Sequence, residues 1–225
     1  MSYQLLCKDC MEDLTQMESD SVDLCLLDPP YFDYVTHHRK SGGDGKLSQS
    51  LVQQSQEDQL RTIQECIRIL KPDRSFWVFT NWRNIWWMQE RFQSLWRNMI
   101  IWDKGNWTAG DLKGSFGNQY EVILLGAKGK WKFKAKREPD IWSIPRMGTD
   151  RIHSTEKPVE LYKKIIVNST DIGDWVLDPY GGSGASLIAA LETGRDMWMW
   201  EIDPEYYRRI EDRVKEIGGN NDKRS

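Results

Sequence analysis

The chain has 225 residues, 39% of them hydrophobic and 29% charged, with a net charge of −3. That is enough for one substantial core, and no stretch approaches the roughly 20 apolar residues of a membrane helix. The small negative charge excludes a protein that coats nucleic acid nonspecifically, but not one with a local basic face.

The N-terminus lacks the apolar core of a signal peptide, so a cytoplasmic protein is expected. Cys7 and Cys10 form a Cys-x-x-Cys, a spacing known from zinc and redox sites. No second Cys-x-x-Cys or Cys/His pair completes four ligands, and Cys25 falls in an apolar strand. The expectation is buried, reduced thiols and no metal.

Residues 3–10 read as a short strand ending at Asp9, and Met11 to Met17 as a turn of helix. Val22 to Leu27, with Asp23 its only charge, reads as a buried parallel strand. It stops at Asp28-Pro29-Pro30-Tyr31 because neither proline can donate to a ladder. The strand therefore delivers a carboxylate, two rigid carbonyls and an aromatic ring to its C-terminal end, where open α/β sheets bind ligands.

Those groups suit one chemical task. An exocyclic amine such as N6 of adenine is a poor nucleophile because its lone pair is delocalised into the ring. The Asp28 carboxylate and the Pro29 carbonyl, gripping its hydrogens, would push the nitrogen toward sp3 and free that pair. Tyr31 could stack on the base, and the arrangement would act by preorganised electrostatics. The same four residues also fit a proline turn with a solvated aspartate, and the rest of the chain has to decide.

Residues 33–56 have no periodicity and several glycines, and read as a mobile loop, either a lid or idle. Glu57 to Leu70 is an amphipathic helix stopped by Pro72, and Phe76 to Phe79 is a strand. Trp82 to Trp96 is a second helix with Ile85, Met88, Phe92, Leu95 and Trp96 on one side. Met99 to Trp102 and Tyr120 to Leu125 are strands flanking a loop over 104–118. From Lys128 to Arg137 every second residue up to Lys136 is basic, and Trp131, Phe133 and Ala135 take the other face. That is strand patterning, either a lysine-guarded edge or a phosphate-contacting ribbon.

Pro158 to Ser169 is a helix. Asp174 to Leu177 is a strand running into Asp178-Pro179-Tyr180-Gly181-Gly182-Ser183-Gly184 and the helix Ala185 to Glu192. Met197 to Trp200 is a strand ending at Glu201, Pro204 to Ile217 is the last helix, and 218–225 is a frayed tail. Strand, glycine turn and helix make a nucleotide-type binding element. Glu201, at the end of the next strand, suits ribose hydroxyls. The phosphate fingerprints are missing, and Asp178 would repel a pyrophosphate yet attract an ammonium. A ligand with adenine, ribose and a cationic amino-acid end fits, which points to S-adenosylmethionine.

Asp28-Pro29-Pro30-Tyr31 followed by Asp178-Pro179-Tyr180-Gly181-Gly182-Ser183-Gly184 resembles the amino-methylating DNA methyltransferases. Catalytic motif first and cofactor motif last is the order of their circularly permuted β group. Lys8-Asp9-Cys10, Ile101-Trp102-Asp103-Lys104, Tyr120-Glu121-Val122-Ile123, His153-Ser154-Thr155-Glu156-Lys157-Pro158 and Glu201-Ile202-Asp203 resemble further stretches of that family, in the same order. Ser154 stands where proline is usual, Tyr180 where phenylalanine is usual, and Gly182 and Ala185 replace the common Ala and Thr.

The resemblance implies an α/β, Rossmann-like S-adenosylmethionine-dependent methyltransferase fold with a mostly parallel sheet and helices on both faces. It implies one domain over 1–217, in a bacterial or phage-infected cell, with a small basic recognition segment over 128–152. Asp28, Pro29, Pro30 and Tyr31 would be catalytic. Asp9, Thr155, Lys157, Asp178, Pro179, Tyr180, Gly181, Gly182, Ser183, Gly184, Glu201 and Ile202 would hold the cofactor. Arg39, Lys40, Lys130, Lys132, Lys134 and Lys136 are the candidates for contact with double-stranded DNA.

The implied reaction methylates N6 of a flipped adenine. Adenine is favoured because Asp-Pro-Pro-Tyr is the usual adenine form of the motif. N4-cytosine or RNA methylation and a catalytically silent partner subunit are the alternatives. The short recognition segment implies a short or loose recognition sequence, or a second subunit, and dimerisation is common in that group. A restriction-linked and a solitary role look alike in the sequence.

Overall fold

The computed structural model describes residues 1–30, 54–107, 113–146 and 156–221. Tyr31, Arg39, Lys40 and Thr155 lie outside the described residues, as do most of the expected loop over 33–56 and part of the one over 104–118.

Fourteen elements are described: β1 (Tyr3–Leu6), α1 (Met11–Leu14), β2 (Val22–Leu27), α2 (Gln56–Ile69), β3 (Leu70–Thr80), α3 (Ile85–Phe92), β4 (Trp96–Asp103), β5 (Tyr120–Lys128), β6 (Ile141–Ser143), α4 (Val159–Ser169), β7 (Trp175–Asp178), α5 (Ala185–Glu192), β8 (Asp196–Trp200) and α6 (Pro204–Asn221). The strands form one sheet in the order β1-β8-β7-β2-β3-β5-β4-β6. β1, β8, β7, β2 and β3 run parallel, and β5 is antiparallel to both β3 and β4. β6 is parallel to β4, so β5 alone among the described strands runs against the rest.

Residue alternation divides the interior into two cores. Leu24 and Leu26 of β2, Trp77 and Phe79 of β3, and Ile123 and Leu125 of β5 face α4, α5 and α6. Cys25 and Leu27, Phe76 and Val78, and Val122 and Leu124 face α1, α2 and α3. Every residue of β2 is buried, as a central parallel strand covered on both faces requires. Its one charge, Asp23, is 2% exposed and is satisfied by Lys71 at 2.9 Å, Arg74 at 2.9 Å and the Trp175 amide at 3.0 Å. These contacts stand at the edge of the sheet opposite the C-terminal ends of β2 and β7.

Several elements depart from expectation. Pro72 does not stop a helix before a loop, because β3 begins at Leu70 and contains it. The β2–β3 register jumps from Val22↔Leu70 to Leu24↔Ser75, so Pro72 falls in a bulge where no ladder donor is needed. The helix expected from Trp82 to Trp96 is only α3, and Trp96 opens β4 with its ring 5.3 Å from that of Phe76.

The basic stretch from Lys128 to Arg137 is not a strand. β5 ends at Lys128, Gly129 turns at φ +82, and the Lys130 amide donates to Asp73 at 2.6 Å. Trp131 and Phe133 meet edge-on at 4.6 Å, with Trp131 against the first core and Phe133 exposed. β6 has no counterpart among the expected strands. β1 stops at Leu6 rather than Asp9, α1 stops at Leu14 rather than Met17, and α6 continues to Asn221 past its expected end. All four cysteines are free; Cys10, Cys25 and Cys66 are buried as expected, but Cys7 is exposed.

Candidate active site

Parallel strands end at a common edge, and here that edge is acidic. Reading along the sheet, Asp9 follows β1, Glu201 follows β8, Asp178 closes β7 and Asp28 follows β2. Neighbouring strands lie about 4.8 Å apart, so the four carboxylates span on the order of 15 Å. β2 and β7 pair directly, with Cys25 opposite Leu177. The Asp-Pro-Pro turn and the glycine-rich turn are therefore adjacent, although far apart in sequence.

The glycine turn is held in several ways. The Gly181 amide donates to the Trp200 carbonyl at 2.6 Å, and a Cβ on Gly181 would stand 2.9 Å from that oxygen. Gly184 has φ +75 and presses on Ile210 of α6, where a Cβ would sit 2.8 Å from Cγ2. Gly182 has φ +54, and a Cβ there would meet only the Tyr180 carbonyl oxygen, at 3.9 Å. The Ser183 carbonyl accepts from Arg213 at 2.9 Å, and the same guanidinium pairs with buried Glu156 at 2.9 Å, which ties the segment ahead of α4 to the turn. The Tyr180 hydroxyl donates to Gln54 at 2.8 Å.

Asp178 is 1% exposed, accepts from the Ser186 hydroxyl at 2.5 Å and from the Tyr180 amide at 2.9 Å. Burial, assisted by the nearby Asp28 and Glu201 charges, pushes its carboxyl up to about 7. Glu201 is likewise raised by burial, and its two oxygens accept from the Gly182 amide at 2.7 Å and the Asp203 amide at 2.8 Å. Ile202 beside it is 48% exposed, an apolar surface next to the Glu201 carboxylate. Asp9 is exposed and accepts from the Met11 amide at 2.9 Å.

Asp28 is engaged by a partner that sequence order does not show. Lys157 Nζ donates to its Oδ2, lies 3.7 Å from Glu121 and sits 4.7 Å above the Phe79 ring. Lys157 is 5% exposed. Glu121 is shared with Lys104 at 3.1 Å, so two cations and two carboxylates alternate along the edge from β2 to β4. Burial raises the Asp28 carboxyl against the opposing pull of Lys157, and the Asp28 and Glu121 charges keep Lys157 protonated despite its burial. Oδ1 of Asp28 has no partner among the described residues and is the acceptor left for a substrate. Pro29 is buried, and the Pro30 carbonyl accepts from Gln59 at 2.6 Å, which fixes the turn to α2.

Asp9, Lys157, Asp178, Pro179, Tyr180, Gly181, Gly182, Ser183, Gly184, Glu201 and Ile202 thus gather with Asp28, Pro29 and Pro30 on one edge. Lys130, Lys132, Lys134 and Lys136 do not join them. β5 runs antiparallel to β3, with Val122 opposite Thr80 at the acidic edge and Lys128 opposite Arg74 at the other. Six residues of strand, roughly 20 Å, separate the two ends. Lys134 pairs with Asp171 at 2.6 Å beyond the far end of α4. Glu121, Lys104, Gln54 and Gln59 are the site residues that sequence reasoning did not single out.

The fold is that of the Rossmann-like methyltransferases. More narrowly, the chain belongs to the DNA methylase family of N6- and N4-amino methyltransferases, whose profile matches residues 22–212. It is 31% identical to the type II methyltransferase M.HinfI of Haemophilus influenzae over 94% of this chain and 68% of that one. It is 26% identical to the DNA adenine methyltransferase YhdJ of Escherichia coli K12 over 89% of this chain and 78% of that protein. Among solved structures, the M1.HpyAVI–SAM complex superposes with a TM-score of 0.68 at 20% identity, covering 94% of this chain and 99% of that one. The cytosine-N4-specific PvuII DNA methyltransferase superposes with a TM-score of 0.71 at 17% identity, covering 93% and 85%.

Proposed function

We propose that this protein transfers a methyl group from S-adenosylmethionine to N6 of an adenine extruded from duplex DNA. The observation that carries the reading is the adjacency of β2 and β7, which sets an amine-gripping carboxylate beside the glycine turn. The site fits the cofactor: acidic strand ends suit ribose hydroxyls and an ammonium, and Gly182 leaves room against the backbone. Glu201 and Ile202 would hold the ribose and adenine, and Asp178, Tyr180 and the glycine turn the remainder. Lys157 and Thr155 would face the methionine end. The bound cofactor supplies an electrophilic sulfonium methyl.

The protein's own work is positioning. Asp28 Oδ1 and the Pro29 carbonyl accept the two amine hydrogens, and the motif assigns to Tyr31 the role of stacking on the base. The nitrogen lone pair, no longer shared with the ring, is aimed at the methyl, and this proximity supplies much of the rate. The proton lost from nitrogen leaves toward Asp28, whose raised pKa suits a transient acceptor. Adenine is supported by the Asp-Pro-Pro-Tyr form of the motif and by the name of the YhdJ relative.

Two experiments follow. With labelled S-adenosylmethionine offered to unmethylated duplex DNA and to RNA, label is expected in DNA, and label in RNA alone overturns the substrate assignment. The second concerns Asp178. Its folded pKa of about 7 lies above the ordinary 3.8, so the group favours the native state when protonated. That contribution is lost as pH rises from about 4 through 7, by up to roughly 4 kcal/mol. Asp178→Asn is therefore expected to be at least as stable as wild type at pH 8 in urea melts, and to lose that advantage at pH 5. Cofactor binding is expected to weaken at both. A variant destabilised at pH 8 would show that the carboxylate serves the fold.

A further inference from the structure

The edge that carries Asp28 also leaves large aromatic side chains open to water. Past the end of β3, Trp82 is 61% exposed and Trp86, in the first turn of α3, is 65% exposed. Their neighbours Trp87 and Met88 are buried in the second core, so α3 has its apolar anchor without them. The Arg83 guanidinium lies 5.3 Å from the Trp82 ring, a cation on an aromatic face. The Asn81 side chain holds the turn by accepting from the Arg83 and Asn84 amides at 3.0 and 3.2 Å.

The position of this turn relative to the chemistry is fixed by register. β3 is parallel to β2 with Leu27 opposite Val78, so Thr80 and the turn beyond it stand beside Asp28. Farther along the same edge, β4 and β5 bring Asp103 opposite Tyr120, and Trp107 and Tyr120 are 63% and 43% exposed there. From β2 to β4 is about 14 Å at the usual strand spacing, comparable to four nucleotides of one DNA strand at roughly 3.4 Å each. A base presented to Asp28 necessarily brings its flanking nucleotides over this rim. The basic segment that sequence patterning nominated for phosphate contact faces the opposite edge, out of their reach.

We propose that Trp82, Arg83 and Trp86 form a nucleic-acid platform, with the indoles packing on bases and sugars flanking the extruded adenine and Arg83 meeting phosphate. The occupant is nucleic acid rather than another protein because the patch pairs stacking surfaces with a cation and is continuous with the site that must meet the target base. It rests on the reading that DNA is the substrate. Stacking would tolerate any flanking base, since every base offers a π-face, while Arg83 would carry the salt-dependent part of the affinity.

The test uses the full chain and a fluorescein-labelled unmethylated duplex, with affinity read by anisotropy and cofactor affinity by calorimetry. Trp82→Ala and Trp86→Ala are expected to weaken DNA binding by roughly 5- to 100-fold each, with cofactor affinity and thermal midpoint unchanged. Arg83→Gln is expected to weaken it mainly at low salt. Both tryptophans are surface residues, so unchanged cofactor binding verifies the fold in each variant. Wild-type DNA affinity in all three variants of an active enzyme would overturn the platform alone. A change of sedimentation coefficient with DNA affinity intact would also overturn it, and would make the rim a contact between copies of this chain. Absence of methyl transfer to DNA by the wild type would overturn the functional reading and the platform with it.

Discussion

Asp28→Ala is expected to lower kcat for methyl transfer by roughly 10³-fold or more, with cofactor affinity retained. The reason is that Oδ1 is the carboxylate oxygen without a partner among the described residues, while Oδ2 is committed to Lys157. Without the carboxylate, the amine keeps its lone pair in the ring, and no neighbouring group stands in for it. Asp28→Asn keeps an acceptor and the shape but loses the charge, so its rate should fall between alanine and wild type. Single-turnover kinetics on duplex DNA, with binding measured separately, checks both. Equal loss of cofactor affinity and rate would mean that Asp28 supports the fold of the site rather than the chemistry.

Lys157→Met is expected to lower kcat at pH 7 by roughly 10- to 100-fold and to move the acid limb of the kcat/KM profile to higher pH. Asp28 is raised by burial and by the charge of Glu121, and Lys157 opposes both. Removing the ammonium leaves the first two unopposed, so the Asp28 carboxyl rises further. Activity that needs the ionised carboxylate is lost as pH falls through its pKa, and a higher pKa means an earlier loss. The variant should therefore recover much of its rate at alkaline pH. A uniform loss across pH would show that Lys157 acts only through the cofactor or through packing on Phe79.

The site was legible in the sequence wherever an apolar run ends abruptly in chemistry. Val22 to Leu27 before Asp28-Pro29-Pro30, and Trp175 to Leu177 before Asp178 and its glycines, announce both strand and site, because a buried strand cannot continue through prolines or a left-handed turn. What was not legible depends on the sheet order. Glu121 reaches Lys157, and Lys104 reaches Glu121, only because β5 inserts antiparallel between β3 and β4, and no local pattern encodes that insertion. Gln59 reads as an ordinary polar residue of an amphipathic helix until Pro30 is placed against it.

The misread elements have local causes. The apolar spacing Ile85, Met88, Phe92, Leu95 and Trp96 continues across a helix-to-strand turn, because α3 and the start of β4 bury side chains in the same core. The alternation from Lys128 to Lys136 looks like a strand because Trp131 and Phe133 alternate with lysines, yet Gly129 has already turned the chain out of the ladder and Phe133 is 42% exposed. Trp82 and Trp86 lie off the apolar face that the spacing Ile85, Met88, Phe92, Leu95 and Trp96 defines, so their exposure carries no periodic signal.

Whether this edge methylates an exocyclic amine, and that of adenine, is decided by digesting DNA treated with the purified protein and identifying the modified nucleoside by mass spectrometry. The expected product is N6-methyldeoxyadenosine, absent from DNA treated with the Asp28→Ala variant. N4-methyldeoxycytidine would contradict the choice of base, and 5-methyldeoxycytidine would contradict the amine chemistry that the whole site has been built from.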